Sequence, residues 1–269
     1  MPFAAVTTVV LLVAWVQSPP LPSAAAASHR SAPTAHRTGA AHRAPAGLRP
    51  LATPTTTRPL RVLVIGDSLG IDLADQLVPT LQAGGVMRVT SDARGDTGLA
   101  RPDYFDWPAE LQTRLRADHP QVLVVLLGAN DDQNLLVAGQ PVLVGTAAWQ
   151  AAYAQRVAVV ADEAAAAGTR VVWVGLPPMA PPRLNAAAQM INGLFAGAAT
   201  GRHGFVYLAS WPLLATAGGQ YQPAATTSQG TVTLRTADGV HLTPAGAGTV
   251  ARAVAAAVAR WLPAPTAAR

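Results

Sequence analysis

The chain has 269 residues, no cysteine and a formal net charge of +5, and its cationic side chains are arginines without any lysine. The lack of cysteine excludes structural disulfides, thiol catalysis, a lipoprotein anchor and cysteine-based zinc sites. Residues 28–59 hold five arginines and no acid, which is the whole net charge, and residues 60–269 hold 14 arginines and 14 acids. The charge balance of this part gives no support for the basic groove expected of a nucleic-acid-binding protein.

Residues 1–27 are predicted to be a secretory signal peptide. The apolar run over residues 3–16 is shorter than the roughly 20 residues that a membrane-spanning helix needs. Prolines and then small residues follow it, and cleavage is expected after Ala27. The first residues carry no Lys or Arg, so an uncleaved anchor stays open. Either interpretation predicts an extracytoplasmic protein, secreted, periplasmic or attached to the cell envelope.

Residues 28–59 are predicted to form a disordered basic linker. They are rich in Pro, Ala, Thr and Arg and contain few large apolar side chains, so they cannot bury enough surface to fold. Three His-Arg pairs leave open a contact with an anionic polymer of the cell envelope or with a metal. A solvated spacer is the favoured interpretation.

Residues 60–269 are predicted to form one α/β domain. Short β-branched runs predict strands over 61–66, 86–91, 121–128, 170–175 and 205–208. Between and after them, alanine-rich stretches predict helices over 69–83, 107–118, 147–167, 185–201 and 244–261. The last helix has Thr243 as a cap and Pro244 at its first position. The alternation predicts a three-layer α/β/α sandwich with a five-stranded, mainly parallel sheet.

Two polar side chains follow strands of this sheet, where ligands bind in open α/β folds. Ser68 comes two residues after the first strand, at the start of a helix whose N-terminus stabilises negative charge. Asn130 follows the third sheet strand, and its amide is a suitable donor to an oxyanion. The alternatives are that Ser68 only caps the helix and that Asn130 is a turn residue. Asp131 and Asp132 are expected to brace the loop.

The segment Asp238-Gly239-Val240-His241 precedes the capped final helix. Asp238 is close enough to accept a hydrogen bond from one ring nitrogen of His241 while the other nitrogen faces a serine. Half of a metal site is the minor alternative, and neither a metal nor another cofactor is expected.

Three segments together resemble the conserved blocks of the SGNH (GDSL) hydrolase superfamily over residues 61–260. They are Gly66-Asp67-Ser68-Leu69, Gly128-Ala129-Asn130-Asp131 and Asp238-Gly239-Val240-His241. The resemblance implies a flavodoxin-like fold in which Ser68 is the nucleophile and Asp238 and His241 complete a triad. It also implies an oxyanion hole formed by the N–H of Ser68, a glycine N–H from a second block, and Asn130.

The second block is expected within Arg94-Gly95-Asp96-Thr97-Gly98-Leu99. Gly98 follows a small hydroxyl residue, as the family's glycine does, and is the preferred oxyanion donor; Gly95 is the competitor. Residues 97–108, 149–156 and 173–179 also resemble a bacterial branch of the superfamily that is predicted to be extracytoplasmic and has no settled substrate. Arg101, Tyr104, Trp107 and Trp149 are expected either to line a substrate pocket or to pack in the core.

The expected function is that of a secreted serine esterase, with acetyl esters on glycans or other envelope carbohydrate as the favoured substrates. The partner is then a small-molecule or carbohydrate ester, and the oligomeric state is left open. An O-acyltransferase that passes the acyl group to a sugar, a lipase or thioesterase, and a non-catalytic envelope-binding protein are the alternatives. The Gly-x-Ser-x-Gly elbow of α/β-hydrolases is absent around Ser68.

Overall fold

The computed structural model describes residues 48, 50–228 and 230–264. The predicted signal peptide and most of the predicted linker lie outside these residues. In chain order the elements are β1 (Leu60–Gly66), α1 (Ser68–Gln82), β2 (Met87–Ala93), α2 (Trp107–Asp118), β3 (Val122–Leu126), β4 (Leu135–Val137), β5 (Gln140–Val142), α3 (Ala147–Ala166), β6 (Arg170–Val174), α4 (Pro182–Ala199), β7 (Phe205–Leu208), α5 (Trp211–Leu214), β8 (Ala224–Thr227), β9 (Gly230–Thr233) and α6 (Pro244–Ala259).

The central sheet has five strands in the order β2-β1-β3-β6-β7, and every neighbouring pair is parallel. The three inner strands are almost completely buried because helices cover both faces. Helices α1 and α6 pack together on one face, and α2, α3 and α4 pack in succession on the other. The predicted three-layer sandwich is therefore confirmed, with a sheet that is parallel throughout.

The strand order shows at which edge of the sheet a ligand-binding crevice opens. The chain leaves β1 toward β2 on one side and later returns to β3 on the other, so a crevice opens beyond the carboxyl ends of β1 and β3.

Gly66 ends β1, and a Cβ atom there would lie 2.5 Å from the Leu126 carbonyl oxygen and 2.6 Å from the Gly70 Cα. Only glycine permits this close approach, which brings the first turn of α1 against β3.

Two short antiparallel hairpins and one short helix were not predicted from the sequence. The β4–β5 hairpin follows the Asn130 loop, and α5 and the β8–β9 hairpin lie in the long connection between β7 and α6. The predicted cap of α6 is confirmed, since Thr243 Oγ1 accepts a hydrogen bond from Gly246 N at 3.2 Å and Pro244 begins the helix.

The described part of the predicted linker includes a residue of the core. Leu51 is only 7% exposed and belongs to the main hydrophobic cluster. The packed unit thus takes in chain before residue 60. Among the described helices, none combines the length and the apolar character needed to cross a bilayer.

Candidate active site

Ser68 is the first residue of α1 and follows β1 by one residue, Asp67. It is half-buried, and neither its hydroxyl nor its backbone N–H makes a hydrogen bond with any described residue. Asp67 caps the helix instead, because its Oδ1 accepts from Leu69 N at 3.0 Å. The alternative in which Ser68 serves as the cap is therefore wrong. The Ser68 hydroxyl is not used by the helix cap and is free to contact a substrate.

Asp67 also ties the Ser68 turn to the loop after β3. Its Oδ2 accepts from Gly128 N and Ala129 N, each at 2.9 Å. The side chain is fully buried, and burial raises its pKa to about 7 against the lowering effect of its three N–H donors. No role of Asp67 was predicted from the sequence, although its place in the Gly-Asp-Ser-Leu block was a signal that could have found it.

Asn130 lies on the loop after β3, beside the loop that follows β2. Its Nδ2 donates to Thr97 O at 2.9 Å, which uses one of its two amide hydrogens. Gly98, which follows Thr97 in the chain, is buried, and its backbone N–H has no hydrogen-bond partner among the described residues. Gly95 is exposed, with open space around the position of a Cβ atom.

Asp131 holds these two loops together, as the sequence analysis expected of a bracing residue. Its carboxylate accepts from Leu99 N at 2.9 Å, Ala100 N at 2.8 Å and the Tyr153 hydroxyl at 2.6 Å. Burial raises the pKa of Asp131. A Cβ atom on Gly98 would collide with this carboxylate, so glycine is required for the contact.

The predicted Asp-His pair forms in the connection before α6. His241 Nδ1 lies 2.6 Å from Asp238 Oδ2, and both side chains are partly exposed. Asp238 Oδ1 accepts from the Thr236 hydroxyl and from the backbone N–H groups of Val240 and His241. Burial opposes the charge on Asp238, but these hydrogen bonds hold its pKa well below its usual range. The hydrogen bond to Asp238 raises the pKa of His241, and the charges of Asp238, Asp72 and Asp67 add to this effect.

Two residues that the sequence analysis missed hold this connection in place. Asp72 lies one turn after Ser68 on α1, and its Oδ2 accepts from Leu242 N at 2.9 Å. Arg235 is 2% exposed and donates to Val240 O at 2.7 Å and to Pro178 O. No sequence pattern marks either residue, because their partners are distant in the chain or are backbone carbonyls.

The four candidate pocket residues divide into two classes. Trp107 and Trp149 are completely buried, and their Nε1 atoms donate to Thr97 Oγ1 and Gln133 O, so both belong to the core. Arg101 and Tyr104 are exposed, and Arg101 forms an ion pair with Asp103. Within the described ranges, no group of three or more His, Asp or Glu side chains is placed to hold a metal ion.

A family model described as "Protein of unknown function (DUF459)" matches residues 61–257, which hold the three blocks. The chain belongs to this family. Among curated proteins, no match to the chain was found.

Solved structures share the fold at low sequence identity. A GDSL-like lipase from Bacteroides thetaiotaomicron VPI-5482 has a TM-score of 0.55 and 16% identity, with 79% of this chain and 93% of that chain covered. A proposed SGNH hydrolase from Slackia heliotrinireducens has a TM-score of 0.51, 22% identity and coverage of 74% and 99%. The esterase EstA from Pseudoalteromonas sp. has a TM-score of 0.50, 15% identity and coverage of 75% and 98%. The fold is that of the SGNH hydrolases, as the sequence resemblance implies.

Proposed function

We propose that this protein is a serine esterase that hydrolyses carboxylic esters through an acyl-enzyme on Ser68. The observation that carries the proposal is the hydrogen bond between Asp72 Oδ2 and Leu242 N, because it joins the helix of Ser68 to the residue after His241. Residues four apart lie on the same side of a helix, so this bond brings the Asp238–His241 pair to the face of α1 that begins with Ser68.

In the proposed mechanism, His241 Nε2 takes the proton from Ser68 Oγ while that oxygen attacks the ester carbonyl carbon. Asp238 supports the step, since its carboxylate holds Nδ1 and stabilises the imidazolium that forms. The imidazolium then protonates the departing alcohol. His241 next deprotonates a water molecule, which attacks the acyl carbonyl carbon. The imidazolium then returns this proton to Ser68 Oγ as the bond between Oγ and the acyl carbon breaks and the carboxylic acid leaves.

The oxyanion would be bound by three N–H donors. Ser68 N and Gly98 N have no partner within the described chain, and Asn130 Nδ2 keeps one hydrogen free. The exposure of Gly95 and the burial of Gly98 against Asp131 favour Gly98 as the second donor. Loss of a single donor of this kind typically lowers kcat by about 10²–10³.

The proposed substrates are acetyl esters on glycans or other carbohydrate of the cell envelope. Support comes from the sequence alone: a predicted signal peptide, followed by an arginine-rich linker suited to contact with an anionic polymer. The neutral charge of residues 60–269 supports no nucleic-acid partner.

The test compares the wild-type protein with Ser68→Ala. Wild type is expected to hydrolyse 4-nitrophenyl acetate and to be labelled by a fluorophosphonate probe. The variant should lose labelling and at least about 10³-fold of kcat, because no other residue replaces the nucleophile. Ser91→Ala, an exposed serine on β2, is the matched control and should behave as wild type.

Full activity in Ser68→Ala would show that the proposed nucleophile is wrong. A folded wild-type protein that neither hydrolyses any ester nor reacts with the probe would instead support a non-catalytic envelope-binding protein. Product analysis with acetylated glycans then tests the proposed substrate.

A further inference from the structure

The peptide group before His241 is held at both of its polar atoms. His241 N donates to Asp238 Oδ1 at 3.0 Å, and Val240 O accepts from Arg235 Nη1 at 2.7 Å. Both partners lie in the same stretch of chain as His241, between β9 and α6. The backbone on this side of His241 is therefore fixed from within its own connection.

The peptide group after His241 is held by one partner from the same connection and one from α1. His241 O accepts from Thr236 N at 3.0 Å, whereas Leu242 N donates to Asp72 Oδ2 at 2.9 Å. A peptide group is planar, so a residue whose two flanking peptide groups are fixed keeps one pair of backbone dihedrals. The direction in which the His241 side chain leaves the backbone thus depends on Asp72.

Asp72 differs from the other partners because it lies on the helix of the proposed nucleophile. It follows Ser68 by four residues and lies on the same side of α1. Among the hydrogen bonds of the described residues, the bond to Leu242 N joins α1 to the connection that carries His241, and no second bond does so. Loss of this bond would remove the polar tie between the helix of the serine and the histidine.

The carboxylate of Asp72 also brings a negative charge close to His241. Its Oδ1 accepts no hydrogen bond from a described residue. Burial raises the pKa of Asp72, whereas the hydrogen bond from Leu242 N and the charge of His241 lower it. In return, the pKa of His241 is raised first by its hydrogen bond to Asp238 and then by the charges of Asp238 and Asp72. The other charged groups around this pair, taken over all described elements that pack against it, are Asp67, Asp75, Asp238 and Arg235.

We propose that Asp72 is a positioning residue of the esterase, whose hydrogen bond to Leu242 N holds His241 in place relative to Ser68 and whose charge stabilises the imidazolium. The assignment rests on the proposed function, since it needs Ser68 and His241 to act on one substrate. Asp72 acts through the backbone and the ring of the histidine connection and does not contact the substrate.

Two substitutions separate the hydrogen bond from the charge. Asp72→Asn loses the charge but keeps an oxygen that can accept from Leu242 N, and its NH2 group takes the place of the unpartnered Oδ1. Asp72→Ala loses both. Leu242 is 4% exposed and packs in the core, so the connection keeps its apolar anchor in either variant.

The hydrogen bond is tested by kcat and kcat/KM for 4-nitrophenyl acetate on the high-pH plateau. In Asp72→Ala both should fall together by about 10²-fold, because a small displacement of a catalytic group costs that much. Asp72→Asn should recover at least about tenfold of this loss, since the acceptor is restored. The rate of fluorophosphonate labelling measures the reactivity of Ser68 independently and should follow the same order.

The charge is tested by the acid limb of kcat/KM between pH 4.5 and 9. His241 must be neutral to accept a proton, and both Asp72 variants lose a charge that favours the imidazolium, so the limb should move to lower pH. The shift should be smaller than in Asp238→Asn, because Asp238 also holds the ring through a hydrogen bond.

Asp75→Ala and Asp75→Asn are the matched controls. Asp75 is exposed, lies almost one turn further along α1 and forms no hydrogen bond with the described residues of the connection. Both variants should keep the wild-type kcat and acid limb. Thermal unfolding verifies that each variant is folded, and Asp72→Leu, which keeps the bulk of the side chain, replaces Asp72→Ala if that variant is unfolded.

The possible failures can be told apart. If hydrolysis depends on Ser68 and folded Asp72→Ala keeps the wild-type kcat, or Asp72→Asn loses as much as Asp72→Ala, the positioning role is wrong and the proposed function stands. An acid limb at the same pH in wild type and Asp72→Asn would contradict the role of the charge. If no ester is hydrolysed in a manner that depends on Ser68, both the esterase and the role of Asp72 are wrong.

Discussion

Among single residues, Asp238 stabilises the protonated, positively charged imidazole of His241. Asp238 is held in its ionised form by the Thr236 hydroxyl and two backbone N–H groups. Its carboxylate stays in contact with His241 Nδ1 at 2.6 Å, which fixes the ring and leaves Nε2 as the free nitrogen. This arrangement raises the pKa of His241, so the ring becomes a neutral base only at a higher pH than an ordinary histidine.

The pH profile of kcat/KM tests this arrangement. His241 must be neutral to accept a proton, so activity should fall as pH decreases through a pKa above the ordinary histidine value of about 6.5. In Asp238→Asn the carboxylate that stabilises the imidazolium is gone, so the acid limb should move to lower pH and the plateau should drop by about 10³–10⁴-fold. The measurement is kcat/KM for 4-nitrophenyl butyrate between pH 4.5 and 9.

Asp75→Asn is the control for the loss of one negative charge, because Asp75 is exposed on α1 outside the pair. Its profile should match that of wild type. An acid limb at the same pH in wild type and Asp238→Asn would contradict the assignment of that limb to His241.

At the scale of elements, buried carboxylates join the loops that follow separate strands. Asp67, after β1, binds two backbone N–H groups after β3, and Asp131, after β3, binds two after β2. Each bond crosses from one strand end to the next, so the three candidate oxyanion donors are supported by a continuous set of hydrogen bonds. Removal of a buried acceptor leaves N–H donors without partners, and that costs about 1–3 kcal/mol for each.

Asp131→Asn is predicted to loosen the loop that carries Gly98. An amide NH2 group would face at least one of the donors Leu99 N, Ala100 N and the Tyr153 hydroxyl. We expect kcat to fall by about 10²-fold, as for the loss of one oxyanion donor, and the free energy of unfolding to fall by about 1–3 kcal/mol. Steady-state kinetics and urea denaturation measure the two effects.

Asp132→Asn is the matched control next in sequence. Asp132 pairs with Arg183, and the two side chains are 11% and 76% exposed. Because the partner cation lies largely in solvent, the change should leave kcat within about twofold and stability within about 1 kcal/mol of wild type. Equal losses in the two variants would argue against a specific role for Asp131.

At the scale of the whole molecule, the core extends beyond the segment with the clear α/β pattern. Leu51 lies nine residues before β1 and is buried in the main hydrophobic cluster. The chain near Leu51 is rich in Pro and Thr, which favour an extended conformation. This composition does not predict that Leu51 packs in the core. The contact ties the segment before β1 to the domain.

Leu51→Ala is predicted to lower the free energy of unfolding by about 2–3 kcal/mol, because a buried leucine is truncated. A chain that starts at residue 60 should lose at least as much. Urea denaturation of the protein starting at residue 48 provides the reference. Leu136→Ala is the control, since Leu136 is 59% exposed and its truncation should change stability by less than about 0.5 kcal/mol. Equal stability of Leu51→Ala and wild type would show that Leu51 adds nothing to the core.

The succession of sheet strands and main helices along the chain could be predicted from the residues, because buried parallel strands are apolar runs and helices have alanine-rich periodicity and caps. The sequence also marked Ser68, Asn130, Asp238 and His241 as residues of the candidate site, since each follows a strand or precedes a capped helix in a short polar motif. Their catalytic roles stay predictions. The β4–β5 and β8–β9 hairpins escaped prediction because strands of three or four residues carry too little periodicity.

Most of the residues that support the site are apparent only in the folded protein. Asp67, Asp72 and Arg235 bind backbone groups up to 170 residues away in the chain, and packing decides which backbone groups they meet. Packing also places Trp107 and Trp149 in the core. The physical reason is that local residue patterns reflect secondary structure and burial, whereas hydrogen bonds between loops depend on how the layers meet.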